Sequence, residues 1–302
     1  MQLFIQILLL ILGFTMLIKG ADWFVDGAGS LAEKFGIPQL VIGLTIVALG
    51  TSAPEAAVSI SAAFKGVADI TIGNVVGSNI INVLIILGLT ATIRPLLVQK
   101  STFAYEIPFV ILISGVMFGL GYLKGKLTRV DGVIFWALLI VYLLYLLRMA
   151  KSGEAEIETA GEKTWPVWKM LLFIVIGIAL IVLGSNVTVD AATAIAKVFG
   201  VSDRIIGLTI VALGTSLPEL MTSVTAAIKG KADIAIGNIV GSNIFNILFV
   251  VGTTALITPV AYASNFRIDS IVMIAAAVLL WLCVLGKQHK LRRWGGILML
   301  AS

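Results

Sequence analysis

The sequence predicts an all-α integral membrane protein of ten transmembrane helices arranged as two inverted five-helix repeats, with the tenth helix incomplete. Three observations predict it. Of 302 residues, 59% are hydrophobic and only 12% charged, against about 25% charged in soluble domains, and the mean hydropathy is +1.09. Apolar stretches of roughly 20 residues, enough to cross a ~30 Å hydrocarbon core, succeed one another along the chain. Sliding the chain against itself by 164 residues aligns 42–91 with 206–255 without a gap, and 34 of those 50 positions are identical.

In order, the expected spans are 3–30, 38–64, 70–92, 103–122, 130–148, 167–196, 205–228, 234–258, 269–286 and 294 onward. The first has no basic leader and no small-residue cleavage site, so it reads as a span and not a signal peptide. Matched against 130–148, the tenth is expected to be short by roughly a dozen residues. Trp165, Trp168, Trp281 and Trp294 fall near span ends, where amphipathic rings anchor at the interface. The polar segment with Glu154, Glu156, Glu158 and Glu162 divides the chain into a first repeat at 1–150, a linker at 151–165 and a second repeat at 166–302. The 164-residue offset also pairs Gly20 with Gly184, Asp26 with Asp190, Gly36 with Gly200 and Arg129 with Arg293, so the whole half is duplicated. Five spans per half is an odd number, so the second copy enters the membrane from the opposite side, an arrangement found mainly in secondary transporters.

A single cysteine (Cys283) and a single histidine (His289) exclude a disulfide scaffold, a zinc site, haem and iron-sulfur ligation, and no phosphate-binding loop is present. Neither enzymatic catalysis nor a resident cofactor is expected. Fourteen of the 21 basic residues, among them Lys34, Arg94, Lys151, Lys229 and Arg293, fall on one side when the N-terminus is placed outside a cell membrane. That bias accounts for the +5 charge without nucleic acid, and the loops are too short to hold an obligate protein partner.

Glu55 and Glu219 lie deep in apolar spans, in the matched strings Gly50-Thr51-Ser52-Ala53-Pro54-Glu55 and Gly214-Thr215-Ser216-Leu217-Pro218-Glu219, and we take them as the only acids so placed. A carboxylate there costs at least about 2.5 kcal/mol, which marks a functional site. Each proline removes a backbone donor and breaks the helix, so the carbonyls of Ala48, Thr51, Ala212 and Thr215 are expected to be freed toward a cavity. The neighbouring spans repeat Gly73-Asn74-Val75-Val76-Gly77-Ser78-Asn79-Ile80-Ile81-Asn82 as Gly237-Asn238-Ile239-Val240-Gly241-Ser242-Asn243-Ile244-Phe245-Asn246. Ser78 and Asn82 share one helix face, as do Ser242 and Asn246, and these four are expected to turn oxygen ligands toward the broken helices. Asn74, Asn79, Asn238 and Asn243 serve equally well as ligands or as interhelical hydrogen-bond donors. Asp69 and Asp233 read as helix N-caps. Carboxylate, carbonyl and hydroxyl oxygens together suit a hard cation: calcium takes six to eight oxygens at about 2.3–2.6 Å, and sodium accepts the same chemistry.

In these strings the sequence resembles the cation/calcium exchanger superfamily, whose two alpha-repeats match the Glu55 and Glu219 motifs and the two Gly-Asn motifs. The resemblance implies ten helices in two inverted halves and exchange of sodium for calcium. It also implies ligation by Ala48, Thr51, Ser52, Glu55, Ser78 and Asn82, and by Ala212, Thr215, Ser216, Glu219, Ser242 and Asn246. The bilayer and the two transported ions are then the partners. Asn246 stands where potassium-dependent members carry Asp, which argues against potassium transport. Val76-Gly77-Ser78 and Val240-Gly241-Ser242 stand where proton-coupled members place a glutamate, which favours sodium over protons. A proton/calcium antiporter and a passive cation channel are the alternatives. Two acids emptied of cations cross a low-dielectric midplane only at high cost, so obligatory exchange is expected over free passage.

Overall fold

The computed structural model describes residues 2–66, 68, 70–152, 165–201, 212–264, 266–286 and 288–302. The expected Glu-rich linker, the start of the seventh span and the Asp69 cap lie outside them. The described chain is helical apart from four two-residue strands. Its helices are α1 (Gln2–Phe35), α2 (Gln39–Thr51), α3 (Ala53–Phe64), α4 (Ile70–Ile93), α5 (Thr102–Lys124), α6 (Arg129–Ser152), α7 (Val167–Val198), α8 (Ala212–Thr215), α9 (Leu217–Ile228), α10 (Ala232–Ile257), α11 (Phe266–Cys283) and α12 (Arg293–Leu300). Among the described residues seven helices are long and apolar enough to cross a membrane, and the pair α2 and α3, bent by 50°, is an eighth candidate.

Most boundaries follow the apolar pattern to within a turn. The first helix runs on to Phe35 and stops where Gly36 adopts φ +63°, a conformation that a side chain disfavours. Asp233 is not an N-cap: Lys231 holds that position, and the carboxylate sits in the first turn of α10, where it accepts a 2.6 Å hydrogen bond from Gln99.

With 34 and 32 residues, α1 and α7 are each about 50 Å long, well beyond a ~30 Å core, and so must tilt. They pack antiparallel along glycines, because Gly13 meets Gly184 and Gly20 meets Gly177 so closely that a methyl group on any of them would strike the partner's backbone within about 3 Å. Phe4, Leu8 and Ile11 face outward on α1, as a lipid-facing surface requires. At the centre, α10 is almost entirely surrounded by protein. Gly237 and Gly241 let α2 approach it, with Gly43 and Leu44 in direct backbone contact.

Two short antiparallel ribbons close the ends of the helix layer. Strand β1 (Leu96–Leu97) pairs with β4 (Lys290–Leu291), and β2 (Lys126–Leu127) pairs with β3 (Val260–Ala261). Since β1 precedes α5 and β2 follows it, the ribbons lie at opposite ends of that helix.

Candidate cation site

The repeated Gly-Thr-Ser-x-Pro-Glu strings produce matching breaks. Ser52 (φ −83°, ψ 4°) separates α2 from α3, and Ser216 (φ −91°, ψ 3°) separates α8 from α9, both in the sparsely populated bridge region. Pro54 and Pro218 sit in the first turn of the second half-helix, where a missing N–H is tolerated. Glu55 and Glu219 therefore begin a helix, facing its positive end, while the negative carbonyl end of the preceding half-helix points at the same spot. Such a break offers charge of both signs to whatever occupies it.

Of the carbonyls expected to be freed, that of Ala48 is not. The Ala48 carbonyl keeps its backbone bond from Ser52 (3.0 Å) and also accepts from Thr51 Oγ1 (3.3 Å) and Ser242 Oγ (3.5 Å). The carbonyls that lose a helical donor are those four residues before each proline, Gly50 and Gly214. Ser185 on α7 caps Gly214 O at 2.6 Å. Alanine occupies the matching position, Ala21, on α1, so that device belongs to one copy.

Both glutamates are completely buried, and they stand close enough to repel one another. Their partners differ. Ser52 Oγ donates to Glu219 Oε1 at 3.1 Å. Thr51 Oγ1 further contacts Asn238 Oδ1 (2.9 Å) and Ser242 Oγ (3.4 Å). Glu55 has neither carboxyl oxygen hydrogen-bonded, and buried Ser216 Oγ, the counterpart of Ser52 Oγ, has no partner among the described residues.

Around the acids the asparagines form a frame with near-twofold regularity. Asn74 Nδ2 donates to Glu55 O (3.2 Å) and Ser59 Oγ (2.9 Å); Asn238 Nδ2 donates to Glu219 O (3.3 Å) and Ser223 Oγ (2.9 Å). Each thus clamps the backbone of a glutamate. Asn79 and Asn243 donate to each other's backbone carbonyls at 3.2 and 3.4 Å, tying α4 to α10. Their side-chain oxygens accept from Asn246 (3.0 Å) and Asn82 (3.0 Å), and Asn246 Nδ2 also reaches Ser78 Oγ at 3.3 Å. The amide nitrogens are consumed within the protein. Left buried without a partner among the described residues are oxygens: Glu55 Oε1 and Oε2, Glu219 Oε2, Asn82 Oδ1 and Asn246 Oδ1. Leaving such atoms unsatisfied costs about 1–3 kcal/mol each, more for a charged group. Oxygens of this kind are the ligands a hard cation takes.

Hydrogen bonds join Thr51, Ser52, Glu219 and Ser242 at the first break, join Ser78, Asn82 and Asn246 through Asn79 and Asn243 between α4 and α10, and tie the Glu55 backbone to α4 through Asn74. Ala48 lies beside them through its carbonyl, Ser216 is buried at the second break, Thr215 precedes it, and Ala212 opens α8. Sequence reasoning left the four frame asparagines undecided, and geometry makes them donors. The signal was present, because Asn74, Ser59 and Asn79 are each identical to the residue 164 positions on. It also missed two further buried acids near the starts of spanning helices, Glu106 on α5 and Asp131 on α6, which are 1% and 0% exposed.

A family model described as sodium/calcium exchanger protein matches residues 5–148 and 169–302. The chain belongs to this family. The putative antiporter CaxA of Alkalimonas amylolytica is 41% identical over 304 residues, covering 97% of this chain and 94% of its own length. The sodium/calcium exchanger MaX1 of Methanosarcina acetivorans is 33% identical, covering 98% and 95%. Among solved structures, the sodium-calcium exchanger NCX_Mj soaked with 10 mM Na+ and 10 mM Sr2+ aligns with a TM-score of 0.84 at 35% identity, over 99% of this chain and 96% of that one. The family, its exchanger relatives and the apolar helices make this a multi-pass membrane transporter of the cation/calcium exchanger superfamily.

Proposed function

We propose that this chain exchanges sodium for calcium across the cell membrane by alternating access, with Glu55 and Glu219 as the charges shared by the two ions. The observation that carries this reading is the set of buried oxygens, on two fully buried carboxyls and on Asn82 and Asn246, that have no partner among the described residues. One calcium ion matches their formal charge, and Asn82, Asn246, Ser78 and Ser242 complete an oxygen shell of the kind a hard cation needs. Thr51, Ser52, Thr215, Ser216 and the Ala48 and Ala212 carbonyls are assigned to the sodium positions beside it. Calcium and sodium are cargo. An empty site leaves two carboxylates in the low-dielectric midplane, so return without a replacement cation is slow.

The reading includes ten spans in two inverted halves, 1–150 and 166–302, joined by a cytoplasmic linker, with the N-terminus outside. The ribbons support inversion: β1 and β3 are 164 positions apart and equivalent in the repeats, yet they belong to ribbons at opposite ends of α5. Contacts also gather basic residues at one end. Lys34 reaches Trp165 O (3.3 Å), Arg94 reaches Ile228 O (2.7 Å) and Arg293 reaches Ile93 O (3.5 Å), as an inside face rich in Lys and Arg requires.

Purified protein in sealed vesicles tests the proposal. An outward sodium gradient should drive calcium uptake, with or without potassium present. Equal uptake driven by a proton gradient in sodium-free buffer would replace this reading with proton/calcium antiport, and gradient-independent leakage would replace it with a channel.

A further inference from the structure

Transport leaves two buried acids unused, Asp131, which pairs with Lys124 at 2.7 Å, and Glu106, for which no ion pair is seen among the described residues. Glu106 closes a π-helical segment, Thr102–Glu106, at the start of α5. Such segments are rare and concentrate at functional sites. One of its carboxyl oxygens accepts a hydrogen bond from Tyr145 on α6, while Oε2 is buried without a partner. The Tyr142 hydroxyl, one turn from Tyr145, is buried and unpartnered as well.

These groups are the polar lining of a cavity of about 330 Å³ between α5 and α6. That volume is at the small end of the roughly 300–1,000 Å³ typical of ligand pockets. Its walls include Phe109, Leu112 and Val141; Leu112 and Val141 are 59% and 62% exposed on membrane-spanning helices, so the cavity opens sideways toward lipid.

The duplication supplies an internal control. At the position matching Glu106 stands Ser270, whose Oγ lies 2.5 Å from Tyr262 OH, and α11 is α-helical over all of Phe266–Cys283. The second copy thus places a hydroxyl in an unbroken α-helix where the first places the Glu106 carboxyl in a π segment. A carboxyl with one oxygen left without a partner among the described residues, lining an apolar groove, is complementary to an ammonium group carried on a hydrocarbon chain.

We infer that the groove between α5 and α6 binds amphiphilic amines entering from the bilayer, with the ammonium on Glu106 and the chain along Phe109, Leu112 and Val141. The inference is independent of the exchange reading, because its readout is binding. Tritiated dodecylamine is titrated onto the protein in lipid nanodiscs, with empty nanodiscs subtracted and unlabelled dodecanol and dodecanoate as competitors. Saturable binding of about one amine per chain is expected, weakened at least about tenfold by Glu106→Gln and blocked by Leu112→Trp, which fills the groove but keeps the acid. Both variants should retain the parent's melting temperature within a few degrees, which shows that they fold. Non-saturable binding, equal competition by dodecanol, or unchanged affinity in folded Glu106→Gln overturns the inference. Should Glu106→Gln not fold, unaltered amine binding by Leu112→Trp overturns it instead.

Discussion

Glu55 and Glu219 stand in six-residue strings that differ at one position, Ala53 against Leu217, yet their surroundings differ. Glu219 is held by Ser52, whereas among the described residues neither the Glu55 carboxyl nor its matching serine, Ser216, has a side-chain partner. Nearly identical sequences have given nearly identical breaks and different side-chain states. One conformation of a two-copy carrier cannot be symmetric if the site is to face one side at a time. In the opposite-facing state, on the reading proposed here, the two halves exchange roles, and Ser216 takes up Glu55 as Ser52 now takes up Glu219.

The strongest way to break this comparison is to remove either charge. Glu55→Gln and Glu219→Gln nearly preserve shape, and each should abolish sodium-driven calcium flux in vesicles despite their unequal partners. A surviving wild-type rate in either would mean that only one acid belongs to the site.

Next in size are the frame asparagines. Asn79→Ala and Asn243→Ala each remove one donor and one acceptor from a reciprocal buried pair, so each should cost about 1–3 kcal/mol of stability. Thermal melts should show nearly equal losses, because the bonds are mirror images at 3.2 and 3.4 Å. A markedly unequal pair would show that the frame does not share the twofold regularity of the backbone.

Ser52→Ala and Ser216→Ala sharpen the comparison further. Hydrogen bonds to charged groups contribute about 1.5–3 kcal/mol, so each substitution should weaken apparent calcium affinity by about tenfold or more. The losses should appear on opposite faces when calcium dependence is measured from each side of oriented vesicles. Loss on the same face for both contradicts an exchange of roles.

The smallest expected effect is at Ser185. Ser185→Ala uncaps Gly214 O, making the second copy resemble the first at Gly50, and should lower stability by about 1 kcal/mol with flux retained. An unchanged melting temperature would mean that water serves that carbonyl equally well.

Much of this was legible in the sequence because hydropathy, helical spacing and the repeat each carry direct physical information. The 164-residue offset located both breaks, and Ser78 with Asn82 and Ser242 with Asn246 could be put on single faces from helical spacing alone. Spacing fixes a face but not which way an amide turns, so the donor role of Asn79 and Asn243 emerged only with their cross-helix partners. Proline chemistry located the break correctly, but the freed carbonyls are four residues upstream, at Gly50 and Gly214, and not at Ala48. Glu106 was passed over because an acid one turn into a span reads as interfacial. Its burial depends on Tyr145, 39 residues away on the next helix.

Equilibrium calcium binding tests the central claim most directly, because it asks about the site without asking about the cycle. Radiolabelled calcium should bind purified protein saturably, be displaced by sodium and not by potassium, and be lost in both Glu55→Gln and Glu219→Gln. Calcium binding that survives in either folded variant, or that sodium fails to displace, would contradict a shared two-carboxylate site.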